Sequence, residues 1–183
     1  MGLAAREAAR TREDPGAWRW VAVGLVIALQ GACVCALSGY ETAEPGDVLD
    51  PASAKKLAQW GAREAGLARG PRPAGRLAAV ETLLRRVSSR DYLVDPERLD
   101  ITRRRRDEAL KLVEIRNAVV HFTGQGDIAD PGEMPAPVTA ACEIIRHLVH
   151  DRPAFDPAPH GRNLAQISRD IEGIMAALPP GSG

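Results

Sequence analysis

Hydrophobic positions recur at helical spacing along most of this chain, and no segment shows the period-two alternation of a strand. Residues 21–37, VAVGLVIALQGACVCAL, are apolar apart from Gln30, and the preceding Asp14-Pro15 is a helix start signal. We therefore expect one long helix over residues 17–38, at the centre of a helical assembly. Amphipathic patterns predict five further helices, over residues 52–65, 76–89, 101–123 (capped by Asp100), 138–151 and 163–178.

Gly- and Pro-rich segments separate the predicted helices, at residues 44–51, 66–75, 124–137 and 151–161. The pattern predicts a single all-α domain over residues 17–178, built as a bundle of four principal helices with accessory ones. Residues 1–16 are expected to form a partly helical arm. Residues 179–183, PPGSG, are expected to be a disordered tail.

Composition narrows the class of protein. Of the 183 residues, 45% are hydrophobic but only 4% aromatic, so we expect a core of closely packed Ala, Leu, Val and Ile. Lys and Arg (24) balance Asp and Glu (24), so any nucleic-acid site must be a local patch. The abundance of Ala, Arg, Gly and Pro is typical of a GC-rich bacterial genome. Three cysteines without zinc spacing predict reduced, buried thiols in a cytosolic protein, with no metal.

The apolar segment 21–37 leaves a membrane-anchored protein as an alternative. Its 17 residues are at the short edge of a transmembrane span, with arginines before it and acidic residues after it. Gln30 near its middle and the small residues around it favour instead a helix packed closely against other helices.

A second segment, KLVEIRNAVVHF at residues 111–122, contains a charge in an unexpected place. On a helix Arg116 projects between two apolar strips, one formed by Leu112, Ile115, Val119 and Phe122 and the other by Val113 and Val120. A guanidinium in such an arc is costly unless it meets a carboxylate, carbonyls, a partner chain or a ligand anion. Pairing with Glu81 or Glu143 would explain it structurally. Phosphate binding by the bidentate fork would explain it functionally.

The same predicted helix carries other candidate polar groups. Asn117 and His121 share an edge with Glu114, and His121 is either a favourable partner of the helix dipole or an acid/base group. The helix starts with a run of four arginines, which is either a solvated charge run or a local basic rim for polyanions: Arg103, Arg104, Arg105 and Arg106.

Arg116-Asn117-Ala118-Val119-Val120-His121 resembles the motif of HEPN domains (higher eukaryotes and prokaryotes nucleotide-binding). That motif is Arg, four to six residues and then His, often with Asn directly after the Arg. The following Phe122, the loop and the next amphipathic helix are similar to HEPN-like bacterial proteins. Over residues 17–149 the resemblance is one of helix pattern, and about twelve residues carry it specifically.

The resemblance implies a HEPN-like four-helix bundle that forms a two-fold dimer, with both motifs facing a shared cleft. Active members of the family are metal-independent endoribonucleases. Carried over, His121 would be the acid/base for attack of a 2′-hydroxyl on the adjacent phosphate, Arg116 would stabilise the growing charge, and Asn117 would orient either group. The products would be a 2′,3′-cyclic phosphate and a 5′-hydroxyl. We therefore expect a cytoplasmic homodimer that acts on RNA, without cofactor, metal or membrane, in a toxin–antitoxin or phage-defence setting.

Other members of the family are non-catalytic modules that bind a nucleotide or a protein partner, and this is the alternative function. Some family toxins have a Tyr two residues after the His, which a nucleotidyltransferase antitoxin modifies. The corresponding residue here is Thr123, so the chain departs from that form of control. On an ideal helix Arg116 and His121 also differ by about 140°, so they converge only if the helix loosens near Thr123 and Gly124 or if the site is composed from two chains.

Overall fold

The computed structural model describes residues 1–38, 44, 46–64, 71, 73–93, 98–121, 130–150 and 161–179. Within these residues the all-α prediction is confirmed, and an antiparallel bridge between Leu49 and Leu77 is the one β-type pairing. The helices are α1 (Gly2–Ala8), α2 (Trp18–Ser38), α3 (Pro51–Glu64), α4 (Val80–Val87), α5 (Arg103–His121), α6 (Pro135–His150) and α7 (Gly161–Ala177).

Two Asp-Pro pairs start helical segments. The Asp14 Oδ1 accepts the Gly16 N–H at 3.0 Å and caps a 3-10 turn, Pro15–Ala17, which runs directly into α2. Asp50 caps α3 by accepting the N–H and the hydroxyl of Ser53, at 3.1 and 2.7 Å. These bonds favour the charged carboxylate and lower the pKa of Asp50.

The cap predicted for α5 is wrong. Thr102, and not Asp100, starts this helix, because the Thr102 Oγ1 accepts the N–H of Arg105 at 3.2 Å. The Thr102 carbonyl also accepts the first helical hydrogen bond, from Arg106 at 3.1 Å. Asp100 lies two residues before this cap and is exposed.

Other helix bounds differ from the predicted ones for backbone reasons. α4 begins later than predicted because the Arg76 carbonyl accepts the Asp50 N–H at 2.9 Å, and the Ala78 N–H donates to Val48 at 3.0 Å. α6 begins earlier, at Pro135, since the first turn of a helix tolerates residues without an N–H. The predicted helix ends at residues 65, 122–123 and 151, and tail residues 180–183, lie outside the described residues.

α2 is the central helix of the fold. It packs against α1, α4, α5 and α6, while α5 packs against α6, and α7 packs against α1 and α6. Gln30, the polar residue of this helix, donates from Nε2 to the Ala78 carbonyl at 3.3 Å, just before α4. The segment Pro15–Ser38 is long and apolar enough to cross a membrane, but 61% of its most apolar window is buried among the other helices.

α1 packs against α2 at a small residue. A Cβ added to Gly24 would lie 2.8 Å from the backbone nitrogen of Ala4, so only glycine permits this approach. Ala4 and Ala8 are both fully buried, so α1 contributes directly to the core. The division into an arm (1–16) and a domain (17–178) stays a prediction.

The cysteines are free, as expected for reduced thiols, but they are not all buried. Cys33 and Cys142 lie in the core, and burial raises the pKa of each thiol to about 12. The expectation is wrong for Cys35, which is exposed, because it lies about 200° around α2 from Cys33.

Candidate functional site

Arg116 continues the buried face of α5 beyond the point where the core ends. Ala109 and Leu112, seven and four residues earlier, are fully buried on this face. From residue 113 to the end of α5 no residue is fully buried: Arg116 is half-buried and Val120 is 48% exposed. The core-facing side of α5 is therefore partly exposed in the C-terminal half of the helix, and the Arg116 guanidinium lies on this partly exposed side.

Arg116 has no hydrogen bond or ion pair with any other described residue. Neither of the two acids predicted as structural partners of Arg116, Glu81 and Glu143, pairs with it. Glu143 of α6 pairs with Arg105 at 2.9 Å, and Glu81 is exposed at the start of α4. Within the described part of the chain, its charge is thus available to a group from outside.

Asn117 and His121 are exposed on the neighbouring side of α5. They are four residues apart and therefore lie about 40° apart around the helix, whereas His121 lies about 140° from Arg116. α5 remains α-helical through His121. Loosening of the helix near Thr123 and Gly124, which would bring Arg116 and His121 closer, falls outside the described residues. The described geometry brings Asn117 and His121 together, but not Arg116 and His121 of one chain.

The arginine run at the start of α5 is mostly paired with acids. Arg103 and Arg106 both reach Asp107, at 3.6 and 3.7 Å, while Arg105 reaches Glu143 of α6. Arg104 is exposed and has no ion pair with a described residue. It lines, with Arg105, a cleft of about 400 Å³ between the first turns of α5 and α6. Only part of the run is thus free to bind a polyanion.

Sequence reasoning missed a second arginine, Arg86 of α4, which is only 7% exposed. Its Nη1 donates to the carbonyls of Asp47 and Leu49, each at 2.8 Å, and its guanidinium carbon lies 5.6 Å from the ring centre of Tyr92. Its buried Nε has no hydrogen-bond partner among the described residues. A buried donor in that state costs about 1–3 kcal/mol. The sequence indicates a buried Arg86 in the same way as it does Arg116, because this cation also lies beside an apolar arc of its helix, next to Val87.

Arg86 lines a larger cleft, of about 620 Å³, between α3, residues 44, 46 and 47, and the end of α4. Neither this cleft nor the one beside Arg104 is lined by Arg116, Asn117 or His121. The described residues also contain no group of three His, Cys, Asp or Glu side chains able to hold a metal ion. No family model, curated protein or solved structure matches the chain.

Chemically, the end of α5 presents three kinds of group. An exposed imidazole can give or accept a proton, an amide can donate or accept a hydrogen bond, and a half-buried guanidinium can hold an anion. The first two lie on one side of the helix and the third on another.

Proposed function

We propose that this chain is a HEPN-like, metal-independent endoribonuclease whose site is composed at the interface of a homodimer. The proposal rests on the position of Arg116. This arginine lies on the buried face of α5, at the point where that face becomes partly exposed, and it has no partner among the described residues. A half-buried cation of this kind fits a position opposite a second chain and a phosphate.

We assign the HEPN-like four-helix bundle to α2, α4, α5 and α6. α2 packs against the other three, and α5 also packs against α4 and α6, so the four share one core. α1, α3 and α7 are then the accessory helices. The exposed Val120, beside half-buried Val119, supplies apolar surface for a two-fold contact at the end of α5.

In the proposed reaction His121 removes the proton from a ribose 2′-hydroxyl, whose oxygen attacks the adjacent phosphorus. The bond from phosphorus to the 5′-oxygen breaks, and that oxygen takes the proton from the His121 imidazolium to leave as a 5′-hydroxyl. Arg116 of the partner subunit holds the extra negative charge of the phosphorane, and Asn117 orients the imidazole or the phosphate. The other product is a 2′,3′-cyclic phosphate.

Arg104 is the best placed member of the arginine run to contact flanking RNA, since the other three pair with acids. It lies twelve residues before Arg116, or about 18 Å along the helix axis. The proposal includes a bacterial, cytoplasmic setting without membrane insertion, in toxin–antitoxin or phage-defence systems. Burial of most of α2 and the bond from Gln30 to Ala78 support the placement outside a membrane.

The experiment is cleavage of a mixed RNA pool in EDTA by wild type, His121→Ala and His150→Ala. His150 serves as the control, because it is also an exposed imidazole at the end of a helix, α6, although its Nε2 also shares a hydrogen bond of 3.0 Å with the exposed Ser168 hydroxyl of α7. We expect cyclic-phosphate ends from wild type and His150→Ala, and intact RNA with a folded His121→Ala. A folded His121→Ala that cleaves like wild type would refute the proposal.

The alternative is a non-catalytic HEPN-like module that binds a nucleotide or a protein partner. One observation favours it: α5 stays helical through His121, so Arg116 and His121 of one chain do not come together. It predicts intact RNA with all three proteins, together with thermal stabilisation by a nucleotide that is lost in Arg116→Ala.

A further inference from the structure

The cleft beside Arg86 has the features of a binding site for a small molecule. Its volume, about 620 Å³, is within the range of small-molecule sites. Leu57 and Trp60 of α3 form part of its wall, and Tyr92 lies on the side of α4. Two flat aromatic rings in one cleft favour a ligand with a flat, apolar body.

The Arg86 guanidinium gives the cleft a polar anchor of defined geometry. Both hydrogen bonds that it makes to described residues leave from Nη1, toward the carbonyls of Asp47 and Leu49. The edge formed by Nε and Nη2 has no hydrogen-bond partner among the described residues, and Nε is fully buried. Two parallel N–H groups along one edge of a guanidinium match the two oxygens of a carboxylate.

The other charges around the cleft disfavour a ligand with more than one negative charge. Lys55 adds a second cation, but Glu44 and Asp47 line the same cleft and carry two negative charges. The Asp47 Oδ2 accepts the Glu44 N–H at 2.8 Å, which holds this acidic corner in place. Such a corner disfavours a dianion such as phosphate more strongly than a single carboxylate.

We infer that the cleft between α3 and α4 binds a small aromatic carboxylate, with its carboxyl group on the Nε–Nη2 edge of Arg86 and its ring in the part of the cleft lined by Trp60 and Tyr92. Because Nε is buried, the groups around it must move for the carboxylate to reach it. This site is separate from the proposed ribonuclease site on α5, so either can exist without the other.

The test is calorimetric titration of the full chain with 2-naphthoate, with its neutral analogue 2-naphthamide and with inorganic phosphate. We expect 2-naphthoate to bind one site per chain with a Kd below about 1 mM, and the amide at least about tenfold more weakly. Arg86→Lys should weaken 2-naphthoate by a similar factor, because lysine keeps the charge without the fork. Arg85→Lys, at the exposed neighbouring position, should have no effect.

A second pair of variants tests the cleft without changing Arg86. Ala58 is an exposed residue of α3 that lines the cleft, and Ala62 is exposed one turn further along and does not line it. Ala58→Trp should abolish binding, and Ala62→Trp should preserve it. No binding of 2-naphthoate to wild type, equal binding of the amide, tighter binding of phosphate or unchanged binding in Ala58→Trp would each overturn the inference.

Discussion

Glu143 of α6 binds the Arg105 guanidinium at 2.9 Å, eleven residues before Arg116 on the same helix. Since about 16 Å of helix axis separates the two arginines, this pairing takes one of the two candidate acids away from Arg116. A sequence can show that α5 carries a cation on its buried face, but which turn of α6 lies opposite is decided by packing. The consequence is a half-buried charge with no partner among the described residues.

Replacing Arg116 should therefore leave the stability of the isolated chain intact. We expect Arg116→Leu to unfold within about 1 kcal/mol of wild type or to be slightly more stable, because it removes a poorly solvated charge. Leu112→Ala, four residues earlier on the same face and fully buried, should cost about 2–5 kcal/mol. Urea denaturation of both variants measures this. A loss of 3 kcal/mol or more (about that of a broken buried pair) in Arg116→Leu would mean that the arginine has a structural partner.

The arginine run should contribute unequally to RNA binding. Arg104→Ala should weaken affinity and lower the slope of log K against log salt by about 0.7, the value for one phosphate contact on a single strand. Arg105→Ala should change the slope less, because Arg105 already pairs with Glu143. Fluorescence anisotropy with a short RNA at several salt concentrations separates the two. Identical slopes for both variants would contradict this division of the run.

Two glycines of α2 should respond in opposite ways to the same substitution. Gly24→Ala should destabilise the fold by about 1–3 kcal/mol, because the new Cβ would lie 2.8 Å from the Ala4 nitrogen and displace α1. Gly31→Ala should stabilise it by up to about 1 kcal/mol, since a Cβ there meets nothing within 4 Å. Thermal melts of the two variants provide the comparison. Equal effects would show that α1 does not pack on α2 at Gly24.

The three thiols should react in a fixed order. Cys35 is exposed and should be alkylated by iodoacetamide in the native protein, whereas Cys33 and Cys142 should react only after unfolding. Burial raises the pKa of both thiols from an ordinary value of 9.0 to about 12, so at pH 10 only about one in a hundred is a thiolate.

The same shifts set the direction of the pH dependence of stability. Between about pH 9 and 12 the unfolded chain loses these two protons before the folded chain does, so stability should fall as the pH rises.

Mass spectrometry of the native protein after alkylation at pH 8 and 10 tests the order in which the three thiols react. Rapid native labelling of Cys142 would contradict the buried position of α6.

The helices were predictable because their signals are local. Asp14-Pro15 and the apolar run after it specified the central helix, and the amphipathic patterns specified the others to within a few residues. α4 was predicted too long because a distant segment, residues 48–50, holds residues 76–78 in extended backbone. The core role of α1 was missed because its contact depends on Gly24, twenty residues after Ala4, and because the buried apolar face of α1 consists only of small residues, Ala4 and Ala8.

The candidate site was predictable only in part. The positions of Arg116, Asn117 and His121 around α5 follow from helix geometry, and the structure agrees with that geometry. Their chemistry depends on what meets the end of α5, which helical spacing cannot specify. Arg86 was overlooked because its cleft forms from segments that are distant in the chain and meet only in the folded protein.

The central claim is that one active site takes Arg116 from one chain and His121 from the other. Arg116→Ala and His121→Ala, each inactive alone, should be mixed, allowed to exchange subunits and assayed for cyclic-phosphate ends in EDTA. About half of the dimers should be mixed and carry one intact site of two, giving about a quarter of wild-type activity. The double variant mixed with His121→Ala is the control and should stay inactive. A mixture no more active than its components, or a wild type that leaves RNA intact, would contradict the account.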